Sequence, residues 1–199
     1  LLSWIRHFLT SRYQQVVCDG ETSSAQEVIS GVPQGTVLGP LLFLAYINDL
    51  PNKIRSSVRL FADDCVVYAT GNDQDHIKSL QEDLHQLEKW QDKWEMAFNA
   101  KKYFIMCFTP KRDPPVGSFT FCDQTLQQVD TQPYLGVHLD QNLHWSYHIH
   151  QITAKANRML GFLKRNLWYC NKEVRVTAYK TLVQPILEYA GSVWDLSLI

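Results

Sequence analysis

The stretch VRLFADDCVVY, residues 58–68, sets two aspartates side by side between two apolar runs that each read as a buried strand. Ionised carboxylates held between buried strands are costly unless a partner or a cation compensates their desolvation. At the tip of a hairpin, however, Asp63 and Asp64 escape burial, and two readings then compete. The pair is a polar turn, which Asp favours through local hydrogen bonds. Or it presents carboxylate to Mg²⁺, a hard ion that takes oxygen ligands and keeps several waters. Neighbouring strand residues face opposite ways, so one aspartate would lead and the other support, and a working site would need a further carboxylate from elsewhere.

Upstream, GVPQGTVLGP (31–40) carries three glycines and two prolines, the composition of a shaped loop. Gly31 and Gly35 let backbone approach a partner closely, and Pro33 stiffens the loop; an ordinary strand-to-helix connection has the same composition. LLFLAYINDL (41–50) is apolar nearly all round and predicts a buried helix with Pro40 near its first turn. Before the loop, YQQVVCDGETSSAQEVIS predicts two short strands around a turn at Asp19-Gly20, and LLSWIRHFLTSR predicts an amphipathic helix at the start. A chain that opens inside such a helix, without methionine, is expected to be a fragment.

Downstream, Ile77, Leu80, Leu84, Leu87, Trp90, Trp94 and Phe98 recur at spacings of three and four and predict a long amphipathic helix over 75–98. The two tryptophans could serve base stacking, but their place on the apolar stripe favours core packing. KKYFIMCFT (101–109) is strand-like, PKRDPPVG a loop, SFTFCDQTLQQV a hairpin and PYLGVHLD a short strand. Helical spacing resumes at Trp145, and a last helix should start after Asn171 as its N-cap, interrupted by Pro185. The boundary is placed near residue 140, with mixed α/β structure before it and helices after it.

The total charge of −1 points to no partner, but its distribution is uneven. Residues 73–95 are acid-rich, whereas residues 151–184 carry Lys155, Arg158, Lys164, Arg165, Lys172, Arg175 and Lys180 against Glu173 alone. That basic helical section suits a phosphate backbone or a solvated face. Five scattered cysteines, with no C-x-x-C pair, indicate neither a zinc ribbon nor a disulfide framework and suggest a reducing, intracellular compartment, cytoplasm or nucleus. No apolar run reaches membrane-spanning length, and no signal peptide is visible. His144, His148 and His150 could be imagined as a zinc cluster, but no carboxylate or cysteine completes a set. His144 and His148 are expected on the polar side of a helix.

Taken in order, SGVPQGTVLGPLLFLAYINDLP, RLFADDCVVYA, FNAKKYFIMCFT and YLGVHLDQNLHWSYHI resemble the reverse transcriptases of non-LTR (LINE-type, jockey/CR1-like) retrotransposons over essentially the whole chain. The resemblance implies an α+β fold, a partial right-hand polymerase palm of antiparallel sheet and packed helices over 1–139, then a helical thumb-like region over 140–199. It implies RNA-directed DNA synthesis with Mg²⁺, or Mn²⁺, on an RNA template, a DNA primer and dNTPs. Asp63 would be the metal ligand and Asp64 its acidic neighbour. The loop Gly31, Pro33, Gln34 and Gly35 would border the incoming nucleotide and template, with Gln34 reaching furthest. Lys102 would be the proton donor to the leaving pyrophosphate, although the same lysines also read as the end of the long helix, complementing its dipole; Tyr103 stands where the family commonly has cysteine, and Lys101 competes for the role. Tyr134, Leu135 and Gly136 would lie where primer backbone is gripped.

The first catalytic aspartate of the family would precede the opening helix, so the isolated chain is expected not to polymerise. Asp19 is no substitute, since it sits in a polar turn. Three outcomes stay open: part of a live polymerase, a truncated relic that only binds nucleic acid, or a remnant without function.

Overall fold

The computed structural model describes residues 1–71, 74–99, 102–109 and 117–195. They fall into two compact units, Leu1–Phe98 and Asn99–Ile199. The compositional boundary near residue 140 lies inside the second unit, where strand packs directly on helix, so compactness and composition divide the chain differently.

The first unit runs α1 (Leu2–Leu9), β1 (Arg12–Gln14), β2 (Val17–Cys18), β3 (Glu21–Thr22), β4 (Gln26–Val28), α2 (Leu38–Ile47), a 3₁₀ turn (Leu50–Lys53), β5 (Ser57–Phe61), β6 (Asp64–Tyr68) and α3 (Gln74–Trp94). β2 and β3 pair tightly around Asp19 and Gly20, both at positive φ as a two-residue hairpin turn requires. β1 and β4 pair outside them. The expected long helix is present, but Glu95 in the left-handed region stops it short of Phe98. Phe98 instead folds back, its backbone N–H donating to Gln91 Oε1 at 2.7 Å.

Leu87 and Trp90 on α3 are buried, as are Ile47 and Leu50, and α3 packs on the 3₁₀ turn that carries Leu50, which makes core packing the role of Trp90. Trp94 is half-buried and meets the ring of Tyr46 edge-on. Two polar ties fix this packing. Trp90 Nε1 donates to Asp49 Oδ1 at 2.8 Å. Asp83, only 2% exposed, accepts the backbone N–H groups of Arg55 and Ser56 at 2.9 and 2.8 Å. α2 departs from expectation. Gly39 and Ile47 are buried in it, but Leu41, Leu44 and Tyr46 are exposed, because no described element packs extensively along its length.

The second unit runs β7 (Phe104–Ile105), β8 (Thr120–Phe121), β9 (Gln124–Thr125), β10 (Gln127–Gln128), β11 (Thr131–Tyr134), β12 (Val137–Asp140), α4 (Ser146–Asn166), α5 (Lys172–Leu182), α6 (Gln184–Glu188) and α7 (Gly191–Trp194). PYLGVHLD, read as one strand, is a hairpin: β11 and β12 pair antiparallel around Leu135 and Gly136, both at positive φ. β8 and β9 turn likewise at Cys122 and Asp123. The expected antiparallel sheet is thus realised, among the described residues, as separate two-stranded ladders, and the β7–β10 ladder is parallel. Tight turns within a few residues of each other keep these strands too short to merge.

Asn171 caps α5 as expected, its Oδ1 accepting from Val174 N at 2.9 Å. Pro185 stands in the first turn of α6, where its missing N–H costs nothing, and the helical path breaks before it at Val183. Ala156 and Leu163 of α4 pack with Val183 between α5 and α6, joined by Met159, Leu160, Ala178 and Ile186.

His148 departs from its sequence reading, whereas His144 is exposed. His148 is 1% exposed, not on a polar face, and meets the rings of His138 and Trp194. Its Nδ1 accepts the His138 N–H at 3.2 Å, while Nε2 has no hydrogen-bond partner. Burial pushes its pKa below the ordinary value of 6.5, and the neighbouring charge of His138 pushes the same way.

Two outcomes follow from these buried groups. Asp83→Ala strips two backbone donors of their acceptor and is expected to cost about 3 kcal/mol in urea unfolding, with Asp83→Asn costing less because one acceptor remains. An unchanged midpoint for Asp83→Ala would show the clamp to be idle. For His148 the folded state prefers the neutral ring, so its contribution is complete above pH 6.5 and is lost as pH falls below that value. The melting temperature of the wild type should therefore drop more between pH 7 and 5 than that of His148→Phe; parallel curves would remove His148 as the cause.

Candidate active site

The local sequence of β5 and β6 explains where the aspartates go. Phe61 pairs with Asp64 at the end of the ladder, leaving Ala62 and Asp63 as a two-residue turn. Ala62 lies at φ 51°, a left-handed conformation that costs a residue with a Cβ about 1 kcal/mol. Both carboxylates are exposed, and among the described residues neither finds a hydrogen-bond or ion-pair partner. Cys65, next in the strand, is half-buried, and desolvation raises its pKa to about 11, so it stays a protonated thiol.

The glycine-rich loop reaches the same place. A cleft of about 530 Å³ is bounded by Val32–Gly35, the start of α2 from Gly39 to Leu44, and the hairpin tip Phe61–Asp63. The consecutive Pro33, Gln34 and Gly35 thus share one cavity with Asp63, which is distant from them in sequence. Gly31 lies outside its wall but belongs to the loop's support. Arg12 Nη2 donates to the carbonyls of Ser30 and Gly31 at 3.0 and 2.7 Å, and its Nε donates to Leu9 O at 2.9 Å. Thr36 Oγ1 donates to Pro33 O at 2.7 Å and accepts from Gly39 N at 3.1 Å, closing the turn into α2. A Cβ on Gly39 would stand 2.8 Å from Pro33 O, so only glycine fits.

Two of these supports were not apparent in the sequence. Arg12 works across a sequence separation no local pattern reports. Gly39 looked like one more loop glycine, though its neighbour Pro40 already marked the helix start beneath the loop.

The remaining candidate residues belong to the second unit. Lys102 is exposed, and its backbone N–H bonds Asn99 O at 2.9 Å. It lies beyond the end of α3, so the reading of FNAKK as the closing turn of that helix does not hold. Lys101 and the loop 110–116 lie outside the described residues. Tyr134 ends β11, and Leu135 and Gly136 form the turn. A Cβ on Gly136 would lie 3.0 Å from the ring of Tyr189, whose hydroxyl donates to Leu135 O at 2.9 Å. The close approach that Gly136 permits is thus filled here by a side chain of this same chain. Among the described residues no group of three His, Cys, Asp or Glu side chains converges, and no helix is long and apolar enough to cross a membrane.

Residues 1–139 match the family described as reverse transcriptase (RNA-dependent DNA polymerase). Among curated proteins, the chain is 32% identical to the RNA-directed DNA polymerase from mobile element jockey of Drosophila funebris, over 99% of this chain and 23% of that protein. It is 29% identical to the probable RNA-directed DNA polymerase from transposon X-element of Drosophila melanogaster, over 97% of this chain and 22% of that protein. A similar protein from transposon BS of the same species is 27% identical over 97% of this chain and 23% of its own length. The chain thus spans less than a quarter of the length of these relatives. No solved structure matches it.

The cleft makes a contrast between two glycines measurable. Gly39→Ala should destabilise the chain by about 2 kcal/mol, since the added methyl meets backbone that cannot yield. Gly161→Ala, within α4 and with only the Arg165 guanidinium 3.5 Å away, should stabilise it by roughly 0.5–1 kcal/mol. Equal shifts in urea midpoint for the two would refute the tight packing of loop on α2.

Proposed function

The chain belongs to the reverse transcriptase family, and we propose that it supplies the rear palm (1–139) and thumb-like helices (140–199) of an RNA-directed DNA polymerase. The observation that carries this reading is the cleft in which the Val32–Gly35 loop and Asp63 meet. Loop and carboxylate would then border a nucleotide and its metal. The alternative of a relic that only binds nucleic acid leaves that convergence without a purpose.

The donor chemistry fits magnesium: two oxygen-bearing side chains, exposed and without a partner among the described residues, at the tip of a ribbon. Bound there, Mg²⁺ or Mn²⁺ would supply the Lewis acidity that nucleotidyl transfer requires. Asp63 would hold the ion, and Asp64, the first residue of β6, would support it. No third carboxylate joins them among the described residues. We therefore take the chain to be one part of a longer catalytic unit that includes a further aspartate and polymerises only with it.

Gln34, on the cleft wall, would orient nucleotide or template, with Pro33 and Gly35 shaping its backbone. Lys102 is the candidate general acid for the leaving pyrophosphate, its ammonium exposed and able to donate. The turn Tyr134–Gly136 would grip primer backbone, and the cations of α4 and α5 would neutralise phosphates of the template–primer duplex. The reducing interior of a cell suits the five free cysteines.

Primer extension on an RNA template with Mg²⁺ tests the reading. A version extended upstream should synthesise DNA, and the 199-residue chain alone should not. In the extended version Asp63→Ala should lower synthesis at least about a hundredfold, and chelation of the metal should abolish it. Synthesis indifferent to both changes would end the assignment of Asp63.

A further inference from the structure

The turn between β11 and β12 is strained at one residue and tied down by another far along the chain. Leu135 lies at φ 47°, a left-handed conformation that disfavours any residue with a Cβ, and Gly136 follows at φ 82°. Such conformations persist where the surroundings over-determine them. Here the surroundings include Tyr189, just past the end of α6. Its hydroxyl donates to Leu135 O at 2.9 Å, and its ring lies 3.0 Å from the place a Cβ on Gly136 would take. The tyrosine is held in turn. Its backbone N–H donates to Pro185 O at 3.1 Å, and its carbonyl accepts from Trp194 Nε1 at 2.8 Å. The Trp194 ring meets buried His148 edge-on, and His148 Nδ1 accepts the backbone N–H of His138 in β12. These contacts close a circuit from hairpin to tyrosine to tryptophan to α4 and back to the hairpin, entirely within the second unit.

Burial does not account for the tie. Tyr189 is 56% exposed, so its ring gains little by leaving water. What the side chain makes is a contact across 54 residues that holds the two turn residues in shape. The chemistry of that contact also suits a strand of phosphates. A phosphate oxygen accepts hydrogen bonds, and a bare carbonyl at the turn would oppose it. The Tyr189 hydroxyl satisfies Leu135 O and lessens that opposition.

We propose that Tyr189 is a positioning residue for the turn Tyr134–Gly136, holding it in the form that receives primer backbone. This rests on the polymerase reading above and adds a residue that acts through the turn rather than on the primer itself. A change at Tyr189 therefore shows in how well primer is held. Nucleotide binding, which that reading gives to the Val32–Gly35 loop and Asp63, is not part of the circuit.

The test uses the version extended upstream, copying an RNA template from a DNA primer with Mg²⁺. Tyr189→Phe removes the hydroxyl alone and should raise the KM for primer–template about threefold. Tyr189→Ala also empties the space over Gly136 and should raise it about tenfold or more. In both variants the KM for dNTP should stay within about twofold of the parent. Val183→Ala controls for destabilisation alone, since it trims the helical core formed with Ala156 and Leu163. It should lower the urea midpoint at least as far as Tyr189→Phe and leave the KM for primer–template unchanged. An unchanged primer–template KM in Tyr189→Ala would overturn the positioning role and leave the polymerase reading standing. So would an equal rise in Val183→Ala, or a parallel rise in the KM for dNTP. If the extended parent made no DNA, both readings would fall.

Discussion

The position of the paired aspartates depends on a carboxylate that does no chemistry. Among the described residues β5 and β6 form a ribbon of two strands with no third strand beside it, and such ribbons are marginal in water by themselves. What fixes this one is the double acceptance by Asp83 of the Arg55 and Ser56 amides, just where the chain enters β5. That clamp ties the ribbon to α3, and α3 is held by the burial of Leu87 and Trp90 and by the bond from Trp90 to Asp49. The tip can then carry an alanine in the left-handed region and two bare carboxylates, because stability is supplied at the base of the ribbon.

This division of labour explains what could be read from the sequence. The aspartate pair, the glycine loop, the N-cap at Asn171 and the long helix were legible because each is local: turn chemistry, capping and helical period are properties of neighbouring residues. Asp83 was one acid among several in the acid-rich stretch 73–95. Nothing in the spacing of α3 distinguishes a carboxylate facing water from one facing backbone amides of another segment. His148 was misplaced for a similar reason. Polarity suggested an exposed face, but a neutral imidazole packs against the rings of His138 and Trp194 at the cost of one unpartnered nitrogen.

The site itself was partly legible. Motif order marked Asp63 and the loop from Gly31 to Gly35, and the cleft brings Asp63 and the Pro33–Gly35 part of that loop to one cavity. The residues that hold this shape, Arg12 and Gly39, were not found. Arg12 reaches carbonyls distant in sequence, and the role of Gly39 is defined by the Pro33 carbonyl that would meet its Cβ. At Gly136 the space a side chain would take is used by Tyr189, which also bonds the turn it covers, an occupant the sequence did not disclose.

α2 shows where hydrophobic pattern and observed burial separate. Its sequence is apolar on every face, which by itself predicts a helix surrounded by protein. In the structure Leu41 and Leu44 stand exposed, and Leu44 borders the cleft shared with Asp63. Pattern reports what a face would gain by burial, not whether an element exists to cover it. The ribbon beside the cleft makes the same point in backbone terms, since the outer ladder groups of β5 and β6 have no strand to pair with among the described residues. Open edges and uncovered apolar faces both oppose stability, and both border the candidate site. The clamp at Asp83 offsets that cost, and it therefore limits how precisely Asp63 can be held.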